Sequence, residues 1–545
     1  MIRRSAFVLS LIGACNGGGG AAEGGSAGDT TSGDDATITS TTIDPSSTAG
    51  DSSSAASTTS ATSSDPDDSG SSDDAASSES GSSDESSSGG DSGLECGIDL
   101  RCTGDTLWSR RFGNEDGTSS NETITAVAAM PDGGAVIGGS ISGSAVFDDV
   151  ATIADPPAAF VARLDAEGSV QWVQPLFGSD GIGIDDLGVD SAGNIVAYGG
   201  VLGDLDAAGE LYDGSSFDWG VFLVGFAADG TPRWSSRHDS SWTVGGQLAI
   251  GPDDAIAIVG YFEGGIDFGG NLLGAVGQNS DMFVAVFESD GMHRWSRRFG
   301  DESYQYGSGV TFLASGDVIV GGIDHGRIDF GDGLLPEHPG AALVLAELAA
   351  ADGEGTWAQQ FVADDGALLG DPRLASDGTR IYLGTFAGSG VYASVDFGAG
   401  PAVGDFHVAA FDGDGTGLWA RGFSDDDFGG EGIVGITASG TDGVVIGGYI
   451  QTPTDFGDGV VREAVGGDLF VAKYDADDGM TQWVRFEGDD DQGSVHQGTT
   501  DVAVAADGRV YAVGNFGGII DFGDGDLVAG QGHGGWDGWV AALAP

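Results

Sequence analysis

An Asp-Phe-Gly triplet stands at the same place in five repeats, in IDFGGN (266–271), RIDFGDG (327–333), VDFGAG (395–400), TDFGDG (454–459) and IIDFGDG (519–525). Carboxylates set among glycines can ligate a cation, hold a proton or cap a turn. The residues in question are Asp267, Asp329, Asp332, Asp396, Asp455, Asp458, Asp521 and Asp524. Flexible, oxygen-rich loops suit Ca²⁺, which makes these eight the candidate metal ligands. No loop follows the D-x-D-x-D-G…E spacing or the G-G-x-G-x-D nonapeptide, so Ca²⁺ stays an option and no cofactor is assigned. A local reading stands beside it: Phe packs between repeats, Gly permits positive φ, and Asp bonds its own turn. A catalytic loop would not need five copies.

Other chemistry is sparse. The Asp-Phe-Gly of protein kinases works with a Gly-rich loop, a strand Lys and an H-R-D segment, and none accompanies it here. His238, His293, His325, His338, His407, His496 and His533 form no HExxH or i, i+4 pair, and unclustered histidines are expected at the surface. Three cysteines, Cys15, Cys96 and Cys102, precede a body that has none. The body therefore has no thiol nucleophile and no Cys-ligated zinc.

The elements that must position these residues show in the tryptophans. Trp108, Trp172, Trp234, Trp295, Trp357, Trp419 and Trp483 follow one another at intervals of 61 to 64 residues. Each opens a short segment such as WSRRFG, WARGF or WVRFEG, and an acidic loop follows. Then come an alternating strand as in TDVAVAADG (500–508), a second strand, the DFG segment, and a third strand such as DMFVAVFE or DLFVAKYD. Period-2 alternation punctuated by Gly and Asp is a strand signal, and no helical period appears. Four short strands in each of seven units predict an all-β fold, a seven-bladed β-propeller with four-stranded blades, over residues 106–545. The seven tryptophans are the expected blade-packing residues.

The text GDLFVAKYDADDGMTQW (467–483), then DVAVAADGRVYAVGNF (501–516) and the Asp-Phe dipeptide, resembles the bacterial propeller repeat family abbreviated SBBP. That resemblance implies a seven-bladed propeller and carries no shared catalytic set. Hairpins such as D-D-G-x-x-x-W (477–483) are also similar to the docking turns of quinoprotein dehydrogenase propellers, but the T-G-K is missing and the Gly-to-Trp gap is longer by one. SDGMHRW (289–295) likewise departs from the sialidase Asp-box.

Connectivity adds two expectations. The last unit ends DGWVAALAP after its third strand, so TLWSRRFG (106–113) should supply the missing fourth strand and close the ring. The loops after each Trp strand and the DFG connections leave the blades on one face. This parity predicts one acidic mouth, where the DFG aspartates join Glu115, Asp116, Asp180, Asp239, Asp301, Glu302, Asp364, Asp365, Asp425–Asp427 and Asp489–Asp491.

The rest of the chain reads as an address. MIRRSAFVLSLIGAC has a basic start, a short apolar run and a small-residue approach to Cys15. It resembles the bacterial lipobox, which implies cleavage before a lipidated Cys15 and residues 1–15 as signal. Residues 16–93 are mostly Ser, Asp, Gly, Thr and Ala, a composition that stays a disordered, self-repelling tether. Residues 94–105 form a joint whose Cys96 and Cys102 suit a local disulfide in an exported protein. Asn16 weakly favours the outer membrane and a surface-exposed, lipid-anchored head. With 85 acidic against 19 basic residues and a net charge of −66, the surface repels nucleic acid. The expectation is a monomeric binding or scaffolding head, not an enzyme, for a protein, glycan or cationic ligand. The alternatives are a hydrolase or quinoprotein-like enzyme at the channel mouth, and a Ca²⁺-stabilised adhesion module.

Overall fold

The fold was analysed in a computed structural model. It describes residues 104–545 except 114–120, 154–157, 217, 339, 364–366, 368, 387–392, 424–431, 465–466, 489–496 and 530–535. The expected signal with Cys15, the acidic segment 16–93, and Cys96 and Cys102 lie outside the described residues. So do Glu115, Asp116, Asp364, Asp365, Asp425–Asp427 and Asp489–Asp491 of the predicted mouth.

Seven antiparallel sheets make seven blades. Blade 4 shows the plan, with Gln305–Phe312, Val318–Asp324, Ala342–Leu348 and Gly355–Phe361 pairing in chain order. The first strands of the seven blades are Glu122–Ala129, Gly181–Val189, Trp242–Ile250, Gln305–Phe312, Arg373–Ser376, Gly432–Ser439 and Gln497–Val504. They contact one another in a closed ring, which puts them innermost, around the axis, and the Trp strands outermost. Middle strands are buried on both faces because each blade is sandwiched between two others. DMFVAVF of the third blade is therefore buried at every position instead of alternating.

The tryptophans hold neighbouring blades together. Each indole lies against a glycine in the turn between the third and fourth strands of the next blade. Trp108 meets Gly168, Trp172 Gly230, Trp234 Gly291, Trp295 Gly353, Trp357 Gly415 and Trp419 Gly479. All six glycines have φ between +66° and +83°, so the turn needs Gly for its backbone and the indole needs the missing Cβ. In five cases the indole Nε1 also donates to a carbonyl of that turn, as Trp295 does to Ala350 at 3.0 Å. The seventh indole, Trp483, meets Gly104 (φ +81°).

Gly104 belongs to the segment that closes the ring. Thr106–Phe112 pairs antiparallel with Asp537–Leu543 as the fourth strand of blade 7. The N–H of Gly104 donates to the carbonyl of Ala544, and that of Ala544 to Asp105. The closing strand thereby covers the edge that Asp537–Leu543 would otherwise expose.

The DFG segments form hairpins that lie along the outermost strands. Five carry the triplet; the other two are Ala145–Phe147 with Ala151–Ile153, and Leu205–Ala207 with Glu210–Tyr212. The Gly position keeps positive φ even where the residue is Asp148 (48°) or Ala208 (55°). The Phe position is buried in all five triplets. Phe330 packs 4.8 Å from Phe299 of the preceding blade, and Phe397 5.2 Å from Phe361. Each ring is thus a wedge between blades.

Candidate functional site at the channel mouth

The site grows out of the innermost strands. Six of the seven carry a register shift at the same level, at Ile124/Ala126, Ile184/Asp186, Gly245/Leu248, Gly307/Gly309, Ile433/Gly435 and Thr499/Asp501. A bulge re-aims side chains and breaks pairing, and here it turns polar residues between neighbouring inner strands. Thr125 Oγ1 donates to the Ile184 carbonyl (2.6 Å) and Thr500 Oγ1 to that of Ile124 (2.7 Å). Two aspartates just past their bulges repeat one motif. Asp186 accepts from the N–H of Leu187 and, in blade 3, of Leu248, both at 2.7 Å. Asp501 accepts from Val502 (2.8 Å) and, in blade 1, from Val127 (2.9 Å). Gln247 of blade 3 accepts from the Leu374 N–H of blade 5 at 2.8 Å, passing the small Gly307-Ser308-Gly309 of blade 4.

Burial dominates the electrostatics along this axis. It pushes the Asp185 carboxyl up to about 7, with Asp186 adding to the rise and the Arg373 guanidinium opposing it. Asp186 and Asp501 are raised for the same reason, against the N–H groups they accept from and against Arg373. Asp371 is raised by burial and again opposed by Arg373. One guanidinium therefore faces four carboxyls.

A cavity of about 240 Å³, with Asp371 in its lining, opens between blades 3, 4 and 5. Its walls are Tyr261, Tyr306, His325 and Phe386, with Ile323, Ala341, Leu369, Gly370 and Asp371. The Tyr261 and Tyr306 centroids are 4.7 Å apart with ring planes at 67°; Tyr306 and His325 are 5.8 Å apart at 79°. Burial first, then Asp371, holds the Tyr261 hydroxyl well above its ordinary value, so the phenol stays neutral. The far wall is tied down where the Gly370 N–H donates to the Phe386 carbonyl (2.6 Å) and Thr385 Oγ1 to that of Gly370 (2.8 Å). A Cβ at position 370 would fall 2.3 Å from the Phe386 ring, so glycine lets that ring come close.

The acidic mouth predicted from parity is not built from the DFG aspartates. Asp267, Asp329, Asp396, Asp455 and Asp521 lie on the perimeter hairpins, each with one oxygen accepting the N–H of the Gly two residues on, at 2.7–2.8 Å. The turns rest beside the start of their own outermost strand, as where Gly355 donates to the Phe330 carbonyl and Thr481 Oγ1 to that of Phe456. Of the followers, Asp458 pairs with Arg462 and Asp524 with Ser109, while Asp332 is exposed. Parity governs where a connection leaves and returns; burying Phe against two outer strands decides where its tip goes. Among the described residues no group of three His, Cys, Asp or Glu is placed to hold a metal ion.

Of the described histidines, His325 is exposed as expected while His238, His338 and His407 are not, and His496 and His533 lie outside the described residues. His238 and His407 are buried, and burial pushes His407 down to about 4. The His338 side chain is enclosed, its Nε2 lying 3.2 Å from Asp324. His238 and His293 each approach a serine, Ser236 and Ser296, at 3.1 Å. Neither pair lines the aromatic cavity, nor a second one of about 360 Å³ at the rim between blades 3 and 4.

Sequence reasoning passed over Asp185, Asp186, Asp371, Arg373, Asp501, Tyr261 and Tyr306. A signal was present for two: Asp186 and Asp501 are acids inside the inner-strand runs GIDDLGV and TTDVAVA. Nothing comparable marks the aromatic wall, which joins three blades.

No protein-family model and no curated protein matches the chain. Solved propellers are similar to it at low identity. BamB from Moraxella catarrhalis is 14% identical with a TM-score of 0.35, covering 81% of this chain and 97% of its own. A europium-containing methanol dehydrogenase is 12% identical with a TM-score of 0.34, covering 81% and 93%. The quinohemoprotein alcohol dehydrogenase of Comamonas testosteroni is 12% identical with a TM-score of 0.32, covering 80% and 76%.

Proposed function

We propose that the chain is an exported lipoprotein of the SBBP-repeat type whose propeller is a binding head. Cys15 carries the lipid, residues 16–93 form the tether, and the head stands off an outer membrane to meet a protein, glycan or cationic ligand. The observation that carries the binding reading is the channel-mouth cavity, whose lining brings together aromatic rings from three blades and one carboxyl, Asp371. Such a pocket, apolar with a convergent polar group, is the usual form of a ligand site. The lipid anchor and tether rest on the sequence alone.

The test is capture from native envelopes with the full chain, alongside binding to a glycan array. Wild type should retain a partner that Tyr306→Ala loses while its circular-dichroism spectrum stays that of the folded chain. Equal capture by both proteins would remove the channel mouth as the site.

A second reading is an enzyme working through the axial carboxyls. Asp185, raised to about 7 beside Arg373, favours it, since a proton-holding carboxyl is what general acid catalysis needs. Against it, the carboxylates of Asp186 and Asp501 are occupied as links between blades.

A further inference from the structure

We infer that the channel-mouth cavity takes a small organic cation, an alkylated ammonium group of the choline type. This deepens the binding-head reading and rests on it. Four observations converge on that chemistry.

The walls are aromatic on several sides. Tyr261, Tyr306 and His325 meet at steep angles, with centroids 4.7 and 5.8 Å apart, and Phe386 stands in the same lining. A cation gains from a ring face when it lies within about 6 Å of the centroid. Rings this close let one cation reach several faces. Walls at 67° and 79° make two steep corners, which suit a rounded group; a sugar ring prefers one flat, open platform.

The charge has the right sign. Among the described residues, Asp371 lines the cavity and no Lys or Arg does. Asp371, Asp185 and Glu263 all act on the Tyr261 hydroxyl, so the nearby field is carboxylate in origin. Arg373, the cation of the axis, is shared among Asp185, Asp186, Asp371 and Asp501. The whole chain, at −66, concentrates cations and repels anions.

The size selects a fragment. At about 240 Å³ the cavity is smaller than the roughly 300–1,000 Å³ of drug-sized sites. It holds a head group and not a large ligand. The remaining lining, Ile323, Ala341 and Leu369, is aliphatic, which suits methyl groups on nitrogen better than a strongly hydrated ammonium. Finally, the walls are already in place. The Gly370–Phe386 and Thr385–Gly370 hydrogen bonds hold the side that carries Asp371, so little ordering is left to binding.

Titration calorimetry on the purified full chain tests this with choline, glycine betaine, 3,3-dimethylbutan-1-ol and glucose. Choline should bind saturably. Its neutral isostere, dimethylbutanol, should bind about tenfold more weakly, the effect of losing about 1.4 kcal/mol of cation–π and charge attraction. Betaine, which carries its own carboxylate, should also be weaker, and glucose should not bind. Tyr306→Ala and Asp371→Asn should each weaken choline by about tenfold, with the folded circular-dichroism spectrum kept. Equal binding of choline and dimethylbutanol would reduce the cavity to an apolar pocket and overturn the assignment. So would glucose binding without choline binding, or no choline binding at all. If envelope capture still depends on Tyr306 while choline fails, only the cation assignment falls. If choline binds but capture does not depend on Tyr306, only the macromolecular partner falls.

Discussion

The indole of Trp483 rests on Gly104, where an added Cβ would lie 3.1 Å from the ring. Six other Trp–Gly pairs join consecutive blades of one continuous chain. This one joins the sixth blade to the segment that enters the seventh from the other end of the propeller sequence, so it is the clasp of the ring. Gly104 has φ +81°; Gly133 has φ +86° but nothing within 4 Å of its Cβ position. Alanine at Gly133 should cost about 1–2 kcal/mol, the cost of left-handed backbone alone. Alanine at Gly104 should cost more, and the difference, read from denaturant titrations, measures the clasp. Equal losses would show that the indole contact contributes nothing.

Removing residues 94–113 takes away the closing strand and bares the edge of Asp537–Leu543. Exposed edges recruit other strands. The truncated chain should run as oligomers in light scattering and melt earlier than the full chain. A monomer with an unchanged midpoint would contradict the closure.

Asp501 joins the inner strands of blades 7 and 1 by accepting from Val127 and Val502. Asp501→Ala leaves two enclosed N–H groups without that acceptor, each worth about 1–3 kcal/mol. Asp501→Asn keeps an acceptor and should recover part of the loss. Hydrogen exchange should rise first along Glu122–Ala129. Asp186→Ala should act in the same way at the junction of blades 2 and 3.

Asp185 makes stability depend on pH in an unusual direction. Burial raises its carboxyl from 3.8 to about 7, so between these values the folded chain binds a proton that the unfolded chain has released. Stability from this group therefore falls as pH rises through that window. The ceiling is about 4 kcal/mol at about 1.4 per pKa unit, and the partial exposure of Asp185 lowers it. Asp185→Asn should raise the melting temperature at pH 8 and leave it nearly unchanged at pH 4. A gain of equal size at both values would show that the charge is not the cause.

The DFG hairpins should behave as wedges. Phe330→Ala empties a buried space beside Phe299 and should cost about 3–5 kcal/mol. Asp329→Ala loses an acceptor for the N–H groups of Gly331 and Gly333 in an exposed turn, a loss of about 0.5–1.5 kcal/mol. Because one carboxylate oxygen already serves the turn, EDTA and added Ca²⁺ should leave the midpoint where it is. A rise with Ca²⁺ that Asp329→Ala abolishes would return the cation reading.

How much of this was legible in the chain divides along the range of the interactions. The Trp spacing, the strand patterning and the missing last strand are properties of single repeats and of their count. By itself the sequence therefore determined seven four-stranded blades and a closing strand at 106–113, which pairs over Thr106–Phe112. It also determined the turn chemistry of Asp-Phe-Gly, since an Asx turn is built within five residues. Even there, two hairpins escaped notice. The left-handed position is held by Asp148 and Ala208 rather than glycine, and the conformation outlasts the triplet. Only the tertiary structure decided where the hairpins go and where the carboxyls gather. Phe330 is placed by two outer strands, while Asp185, Asp501, Arg373 and Asp371 come from three blades far apart in sequence that meet at the axis. Local pattern specifies strands and turns; burial and charge at the axis arise only when the ring closes and brings distant blades together.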